Sequence, residues 1–236
     1  MLAILKAIYA DSLLGPALGF KGGTAAYLFY DLGRFSVDLD FDLLYLEKEK
    51  DVFAKMALAL KDFGAIKESY IKKNTLFFLL SYGEKDQNIK IEISRRTVKA
   101  KYNLETFLGV SMLVMDRADM ASCKLAALIN RKKTASRDIF DTNFFIKNSW
   151  DFNEEVFKQA TGLDFKKGLA KAIAVVKSFD QKEILANMGE LLDEKQKKWA
   201  KENLKADVLF ALKSYLFALQ DKVIKRDRTR AIGKMK

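Results

Sequence analysis

In the segment RFSVDLDFDLLYL, residues 34–46, hydrophobic and polar residues alternate strictly from Arg34 to Leu43. In an extended chain, successive side chains point to opposite faces, so a period of two is typical of a half-buried β-strand. One face would carry Phe35, Val37, Leu39, Phe41 and Leu43, and the other would carry Ser36, Asp38, Asp40 and Asp42. The pattern therefore predicts a strand with a row of carboxylates on its polar face.

The first half of the chain mixes the helical and the strand period. Helical spacing predicts helices over residues 1–14, 24–32 and 47–63, with Gly33 ending the second of them. Short apolar runs predict strands over residues 17–21, 74–82, 88–96 and 109–115. The strands 74–82 and 88–96 are joined by GEKDQ and form an expected antiparallel hairpin. In the second of these, Glu92 falls on the polar face, because Ile89, Ile91 and Ile93 alternate with polar residues.

Beyond Asp116, which is a suitable helix N-cap, only the helical period remains. Helices are expected over residues 117–131, 135–147, 153–177, 180–200 and 203–226. The sequence thus predicts an α+β fold, with a mixed β-sheet flanked by helices in residues 1–115 and an all-helical half in residues 116–236.

Composition excludes several classes of function. The chain has no histidine and a single cysteine, Cys123, which rules out a Ser-His-Asp triad, a Cys-His pair and an internal disulfide, and fits a reducing cytoplasm. No apolar run reaches the roughly 18–20 residues of a membrane span, and the apolar N-terminus is expected to be a packed helix rather than a signal peptide. With 42 basic and 31 acidic residues, the formal charge of +11 favours a polyanionic partner.

Carboxylates on neighbouring strands are suited to a metal site. Residues two apart on a strand are about 6.5–7 Å apart along one face, so Asp38 and Asp40 can converge on divalent ions. Glu92 would add a third carboxylate from another strand, and an oxygen-only ligand set suits Mg²⁺. Asp42 is either a further member of the site or simply the next solvated residue.

A phosphate site is indicated just before this strand. Gly22 and Gly23 allow main-chain N–H groups to approach a phosphate closely, and the helix that follows presents its positive N-terminal end. Thr24 supplies a hydroxyl at the same place. Each feature alone also fits an ordinary turn or a solvated strand, but the short interval between Gly-Gly-Thr and Asp-x-Asp favours a nucleotide site.

Together, KGGTAAYLFYDLGRFSVDLDFDL (residues 21–43) and CKLAALINRKKTASRDIFD (residues 123–141) resemble two motifs of the AbiEii/MenA-type nucleotidyltransferase toxins. The resemblance implies a nucleotidyltransferase-type sheet and a nucleotide site at Gly22, Gly23, Thr24, Ser36 and Lys124. It also implies Mg²⁺, as two ions, at Asp38, Asp40 and Glu92, with Lys124 contacting the triphosphate. Asp138 or Asp141 would orient that lysine or an arginine. An ordinary salt-bridge lattice between two helices is the alternative explanation of this second block, and the presence of the first motif favours the site.

The same resemblance implies transfer of a nucleotide from an NTP to an acceptor hydroxyl, in some members the 3′ end of tRNA, within toxin–antitoxin and phage-defence systems. An antitoxin is an implied partner. Basic residues at Arg131–Lys133 and along the C-terminal segment from Lys222 would follow an RNA backbone, or are simply solvated. Two alternatives stay open: an acceptor that is a small molecule or a protein, and a nucleotide- or RNA-binding protein without catalysis.

Overall fold

The computed structural model describes residues 1–83, 88–96, 98–186 and 188–233, with side chains as far as Asp221. Most of the predicted hairpin turn and the side chains of the basic C-terminal segment lie outside the described residues. The chain divides into two compact units, Met1–Met120 and Ala121–Lys236. No helix in the part of the chain that the structure describes is long and apolar enough to cross a membrane.

The first unit is built around a seven-stranded mixed sheet, which confirms the predicted fold class. Its strands are β1 (Leu18–Lys21), β2 (Leu39–Leu43), β3 (Ala65–Lys72), β4 (Thr75–Ser81), β5 (Asn88–Ser94), β6 (Tyr102–Phe107) and β7 (Val110–Met115). They are ordered β3-β4-β5-β2-β1-β7-β6. The pairs β2–β5 and β1–β7 are parallel, and the other neighbours are antiparallel.

Helices of the first unit cover one face of this sheet. They are α1 (Leu2–Ala10), α2 (Leu14–Ala17), α3 (Gly22–Tyr30) and α4 (Glu49–Leu60), with short 3₁₀ turns at Leu46–Lys48 and Lys61–Phe63. Aromatic rings join the two layers: Tyr9 to Phe41, Phe29 to Phe20, and Phe53 to Phe78. The strand residues Phe20, Phe41 and Phe78 are fully buried, which places the apolar core on this side and the acidic residues on the opposite face.

The C-terminal end of α3 is fixed by a tyrosine. The Tyr30 hydroxyl donates a hydrogen bond of 2.9 Å to the main-chain oxygen of Met115. Burial, followed by the nearby Glu105 and Asp116 carboxylates, raises the pKa of Tyr30 to about 12. The phenol therefore stays a neutral donor at physiological pH. The helix ends at Asp31, which has φ 55°, and not at the predicted Gly33.

The second unit is helical, as predicted. Its helices are α5 (Arg117–Asn130, which begins in the first unit), α6 (Ser136–Lys147), α7 (Glu154–Thr161), α8 (Phe165–Ser178), α9 (Glu194–Trp199) and α10 (Lys205–Gly233). The predicted helix 153–177 is divided in two, because Gly162 adopts φ 71° and Asp164 caps a new helix. The predicted helix 180–200 is replaced by 3₁₀ turns at Gln181–Glu183 and Gly189–Leu191 ahead of α9, and a π-helical turn at Ala200–Leu204 follows α9.

Candidate active site

The acidic strand β2 lies at the centre of the sheet, but it is shorter than its alternation predicts. It pairs with β1 through Asp40–Leu43 and with β5 through Leu39–Asp42, so residues 34–38 have no strand beside them. Phe35 and Val37 consequently remain 60% and 48% exposed. The predicted strand is therefore correct only for Leu39–Leu43, and Asp38 lies immediately before it.

Two of the predicted metal ligands are direct neighbours. Asp40 is paired with Glu92 across the parallel strands β2 and β5, and with Lys21 across the antiparallel strands β2 and β1. Residues paired in this way point to the same face of a sheet. Glu92 is exposed and Asp40 is half-buried, so both carboxylates belong to an accessible part of the polar face.

The main chain of Gly22 lies against the Asp40 carboxyl group. A Cβ atom added to Gly22 would lie 2.8 Å from Asp40 Cβ and 2.9 Å from its Cγ, and would overlap Oδ2. Gly22 also has φ 81°, a conformation that side chains disfavour. The first residue of α3 is thus a glycine for two independent reasons, and the carboxylate and the N-terminus of the helix form one site.

Gly23 and Thr24 bind the segment that leads to the strand. A Cβ atom on Gly23 would lie 2.8 Å from Ser36 Oγ and 2.9 Å from Arg34 Nη2, so any larger residue would displace the ends of these two side chains. The fully buried Thr24 hydroxyl donates to the main-chain oxygen of Asp38 and lies 3.0 Å from Ser36 Oγ. Thr24 therefore holds α3 against the residues that precede Asp40.

Arg34 is a member of this cluster that the sequence analysis missed. Its side chain is 3% exposed, and Nη1 donates a hydrogen bond of 3.0 Å to the oxygen of Phe35. Its position in the sequence could have identified it, because Arg34 falls on the same side of the alternating pattern as Ser36, Asp38 and Asp40. A buried guanidinium beside the glycines adds positive charge where a phosphate is expected.

Asp42 is engaged in contacts of its own. Its carboxylate is 2.6 Å from Lys21 Nζ and accepts a hydrogen bond from the Tyr102 hydroxyl. The side chain is 7% exposed, in contrast to the exposed Glu92. These contacts favour a role for Asp42 in holding β1, β2 and β6 together.

The donor set can be compared with the needs of Mg²⁺. Among the residues that the structure describes, no three acidic or thiol side chains lie close enough together to hold a metal ion by themselves. Mg²⁺ is, however, usually bound through one or two carboxylates together with substrate phosphates. The neighbouring carboxylates of Asp40 and Glu92, beside a glycine cradle that a Cβ would fill, fit that mode of binding.

The second motif forms a buried ion cluster in the helical unit. Lys124 Nζ on α5 is 2.8 Å from Asp141 Oδ2 and 3.9 Å from Asp138 Oδ1 on α6, and both aspartates are fully buried. Arg131 Nε lies 2.6 Å from Asp138 Oδ2, but the N–H bond does not point at this oxygen, so the contact is an ion pair and not a hydrogen bond. Asp141 is therefore the residue that holds Lys124 most closely.

Removing Lys124 should destabilise the protein strongly. The substitution Lys124→Met removes the ammonium group that lies 2.8 Å from the buried Asp141 carboxylate, and breaking a buried ion pair costs about 3–5 kcal/mol. Lys197→Met is the matched control, because Lys197 pairs with the 88% exposed Glu194 and such a pair contributes only about 0–1 kcal/mol. Urea denaturation measures the free energy of unfolding of both variants. Equal losses would show that the Lys124 cluster contributes no more than a surface ion pair.

Comparison with protein families gives a match over almost the whole chain. Residues 3–222 match the family model described as the nucleotidyl transferase AbiEii toxin of a type IV toxin–antitoxin system. No curated protein sequence matches the chain significantly.

Two solved structures have a similar fold, both from Helicobacter pylori. JHP933 is 20% identical, with a TM-score of 0.60, over 97% of this chain and 94% of its own. The second, described as a candidate nucleotidyltransferase, is 22% identical, with a TM-score of 0.58, over 93% of each chain. At this level of identity the two structures support the fold alone.

Proposed function

Because the chain belongs to the AbiEii nucleotidyl transferase toxin family of type IV toxin–antitoxin systems, we propose that it transfers a nucleoside monophosphate from an NTP to a hydroxyl at the 3′ end of tRNA. The observation that carries this proposal is the contact between the main chain of Gly22 and the carboxyl group of Asp40, which has Glu92 beside it. A phosphate-binding helix end and neighbouring carboxylates are the two parts that phosphoryl chemistry needs.

In the proposed reaction, the acceptor oxygen forms a bond to the α-phosphorus of the NTP. The bond from that phosphorus to the bridging oxygen breaks, and pyrophosphate leaves. One of the carboxylates of Asp38, Asp40 and Glu92 takes the proton of the acceptor hydroxyl, since the chain has no histidine. Mg²⁺, when bound by these carboxylates, supplies positive charge to the phosphate oxygens.

The groups that would bind the triphosphate have separate proposed roles. Main-chain N–H groups of Gly22 and Gly23 and the N-terminus of α3 bind the triphosphate, with the Ser36 hydroxyl beside them. Arg34 reinforces the positive charge at Gly23. For Lys124 we retain the contact with the triphosphate that the family resemblance implies, with Asp141 orienting its ammonium group. The toxin family also implies an antitoxin partner, and the single cysteine is consistent with action in a reducing cytoplasm.

Labelled nucleotides test the reaction and the acceptor together. ATP, CTP, GTP and UTP, each labelled at the α-phosphate, are incubated with the protein, total tRNA and Mg²⁺. We expect label on tRNA from at least one nucleotide, none after chelation of Mg²⁺, and none from the same nucleotide labelled at the γ-phosphate.

Each other outcome is informative. Label that appears on protein or on a small molecule instead of tRNA would contradict the proposed acceptor and retain the transfer. Nucleotide binding that requires Mg²⁺ but releases no pyrophosphate with any acceptor would contradict catalysis and favour a binding protein.

A further inference from the structure

The carboxylates belong to a row of residues that runs across the polar face of the sheet. The strand pairings connect Lys21 to Asp40, Asp40 to Glu92, Glu92 to Phe77 and Phe77 to Tyr70. All five side chains therefore lie on the same face, at intervals of about 4.8 Å from strand to strand. An aromatic pair on the polar face of a sheet, next to a carboxylate of the candidate site, requires an explanation.

The two rings form one stacked unit. Their centroids are 4.7 Å apart, with an angle of 12° between the ring planes. Phe77 is only 9% exposed, whereas Tyr70 is partly exposed on the edge strand β3. Tyr70 is therefore the ring that a ligand can reach, and Phe77 supports it from behind.

Positive charge accompanies this pair. Lys72 Nζ lies over the face of the Tyr70 ring that Phe77 leaves open, 4.2 Å from the ring centre. Because the Lys72 side chain is exposed, it can swing aside when a base stacks on that face. Lys90, also exposed, precedes Glu92 by two residues and so lies on the same face of β5. Aromatic rings combined with cations are the means by which proteins bind single-stranded nucleic acid, through base stacking and contacts to the backbone.

The order of the residues along this row indicates where the NTP and the acceptor would each bind. Gly22 and the N-terminus of α3 lie on the β1 side of Asp40, and the aromatic pair lies on the other side, beyond Glu92. In phosphoryl transfer, the attacking and leaving oxygens are roughly in line on opposite sides of the phosphorus atom. If the triphosphate occupies the glycine side, the acceptor must approach from the side of Glu92 and the aromatic pair.

We propose that Tyr70, supported by Phe77, stacks an unpaired base of the acceptor RNA, and that Lys72 and Lys90 contact its phosphates. This inference rests on the proposed nucleotide transfer. Tyr70 is three strands from Asp40, or about 14 Å, which exceeds the reach of one nucleotide. The stacked base therefore belongs to a residue upstream of the reacting hydroxyl, and the acceptor must have a single-stranded end several nucleotides long.

The test uses a fluorescently labelled single-stranded RNA of five nucleotides, with the full chain and no NTP, so that binding is measured without transfer. We expect Tyr70→Ala to raise the Kd by roughly 5- to 150-fold, the range found when an aromatic that stacks a base is removed. Tyr70→Phe keeps the ring and should bind like the wild type. Lys72→Gln should weaken binding and lower the slope of log K against log salt by about 0.7.

A matched control is available on the same unit. Tyr45 is 45% exposed and has Lys48 Nζ 5.1 Å from its ring centre, but it lies outside the row. Tyr45→Ala should leave RNA binding unchanged. In the transfer assay, Tyr70→Ala should raise the KM for tRNA and leave the KM for the NTP as it is.

Other outcomes overturn the inference in recognisable ways. If Tyr70→Ala raises the KM for the NTP and not for tRNA, the ring holds the incoming base. If Tyr70→Ala and Tyr45→Ala weaken RNA binding equally, or if duplex RNA competes as well as the single strand, the surface is not a stacking site. A wild-type protein that labels no RNA, but binds the five-nucleotide strand through Tyr70, would refute the proposed transfer while the binding surface stands.

Discussion

Replacing Asp40 by Asn should lower the rate of nucleotide transfer by at least about 10²–10³-fold, the usual cost of removing one group that stabilises charge in a transition state. Asn has almost the same shape as Asp, so the change removes the negative charge and leaves the packing against Gly22. Asp40 is central to the site because it is paired with Glu92 and touches the start of α3. The measurement is transfer of α-labelled nucleotide to tRNA, together with the melting temperature of the variant.

The control for this variant lies two residues further along the same strand. Asp42→Asn removes the same charge from the same face, but Asp42 is held by Lys21 and Tyr102. We expect Asp42→Asn to lower the melting temperature and to keep transfer activity at temperatures where the protein is folded. Wild-type transfer by Asp40→Asn would refute the proposed site, and loss of transfer in a folded Asp42→Asn variant would add Asp42 to it.

The sequence predicted which face of the sheet carries the acidic residues of the candidate site, but not which residues are their neighbours. Alternation alone placed Asp38, Asp40 and Glu92 on polar faces, because burial of one face imposes a period of two. Which strands are adjacent depends on long-range pairing, and here β5 lies beside β2 although β3 and β4 come between them in the chain. The row from Lys21 to Tyr70 therefore becomes visible only in the structure.

Two strands were missed for one physical reason. The strands β3 and β6 form the two edges of the sheet, and most of their side chains are exposed or only partly buried. Without one buried face, a strand has no reason to alternate apolar and polar residues. The opposite error occurred at residues 34–38, where the alternation begins five residues before β2 does. There Arg34, Ser36 and Asp38 are directed by contacts with α3 rather than by strand pairing.

Replacing Gly22 by Ala should lower kcat/KM for the NTP by about 10²-fold, the effect of displacing a reacting group by roughly 1 Å. The added Cβ atom would overlap the Asp40 carboxyl group, so either this carboxylate or the start of α3 must move. Both the phosphate-binding main chain and a proposed metal ligand would then be displaced together. Steady-state transfer kinetics with varied NTP measures this effect.

Gly109→Ala separates this displacement from the cost of the backbone conformation. Gly109 has φ 78°, close to the 81° of Gly22, but an added Cβ atom meets nothing within 4 Å. The backbone conformation alone should cost both variants about 1–2 kcal/mol of stability, because an L-residue is forced into the left-handed region. Gly22→Ala should lose more than Gly109→Ala, because its Cβ atom also overlaps the Asp40 carboxyl group. Only Gly22→Ala should lose transfer activity. If the two variants lose equal activity, strain alone explains the result; if neither does, the contact between Gly22 and Asp40 has no part in catalysis.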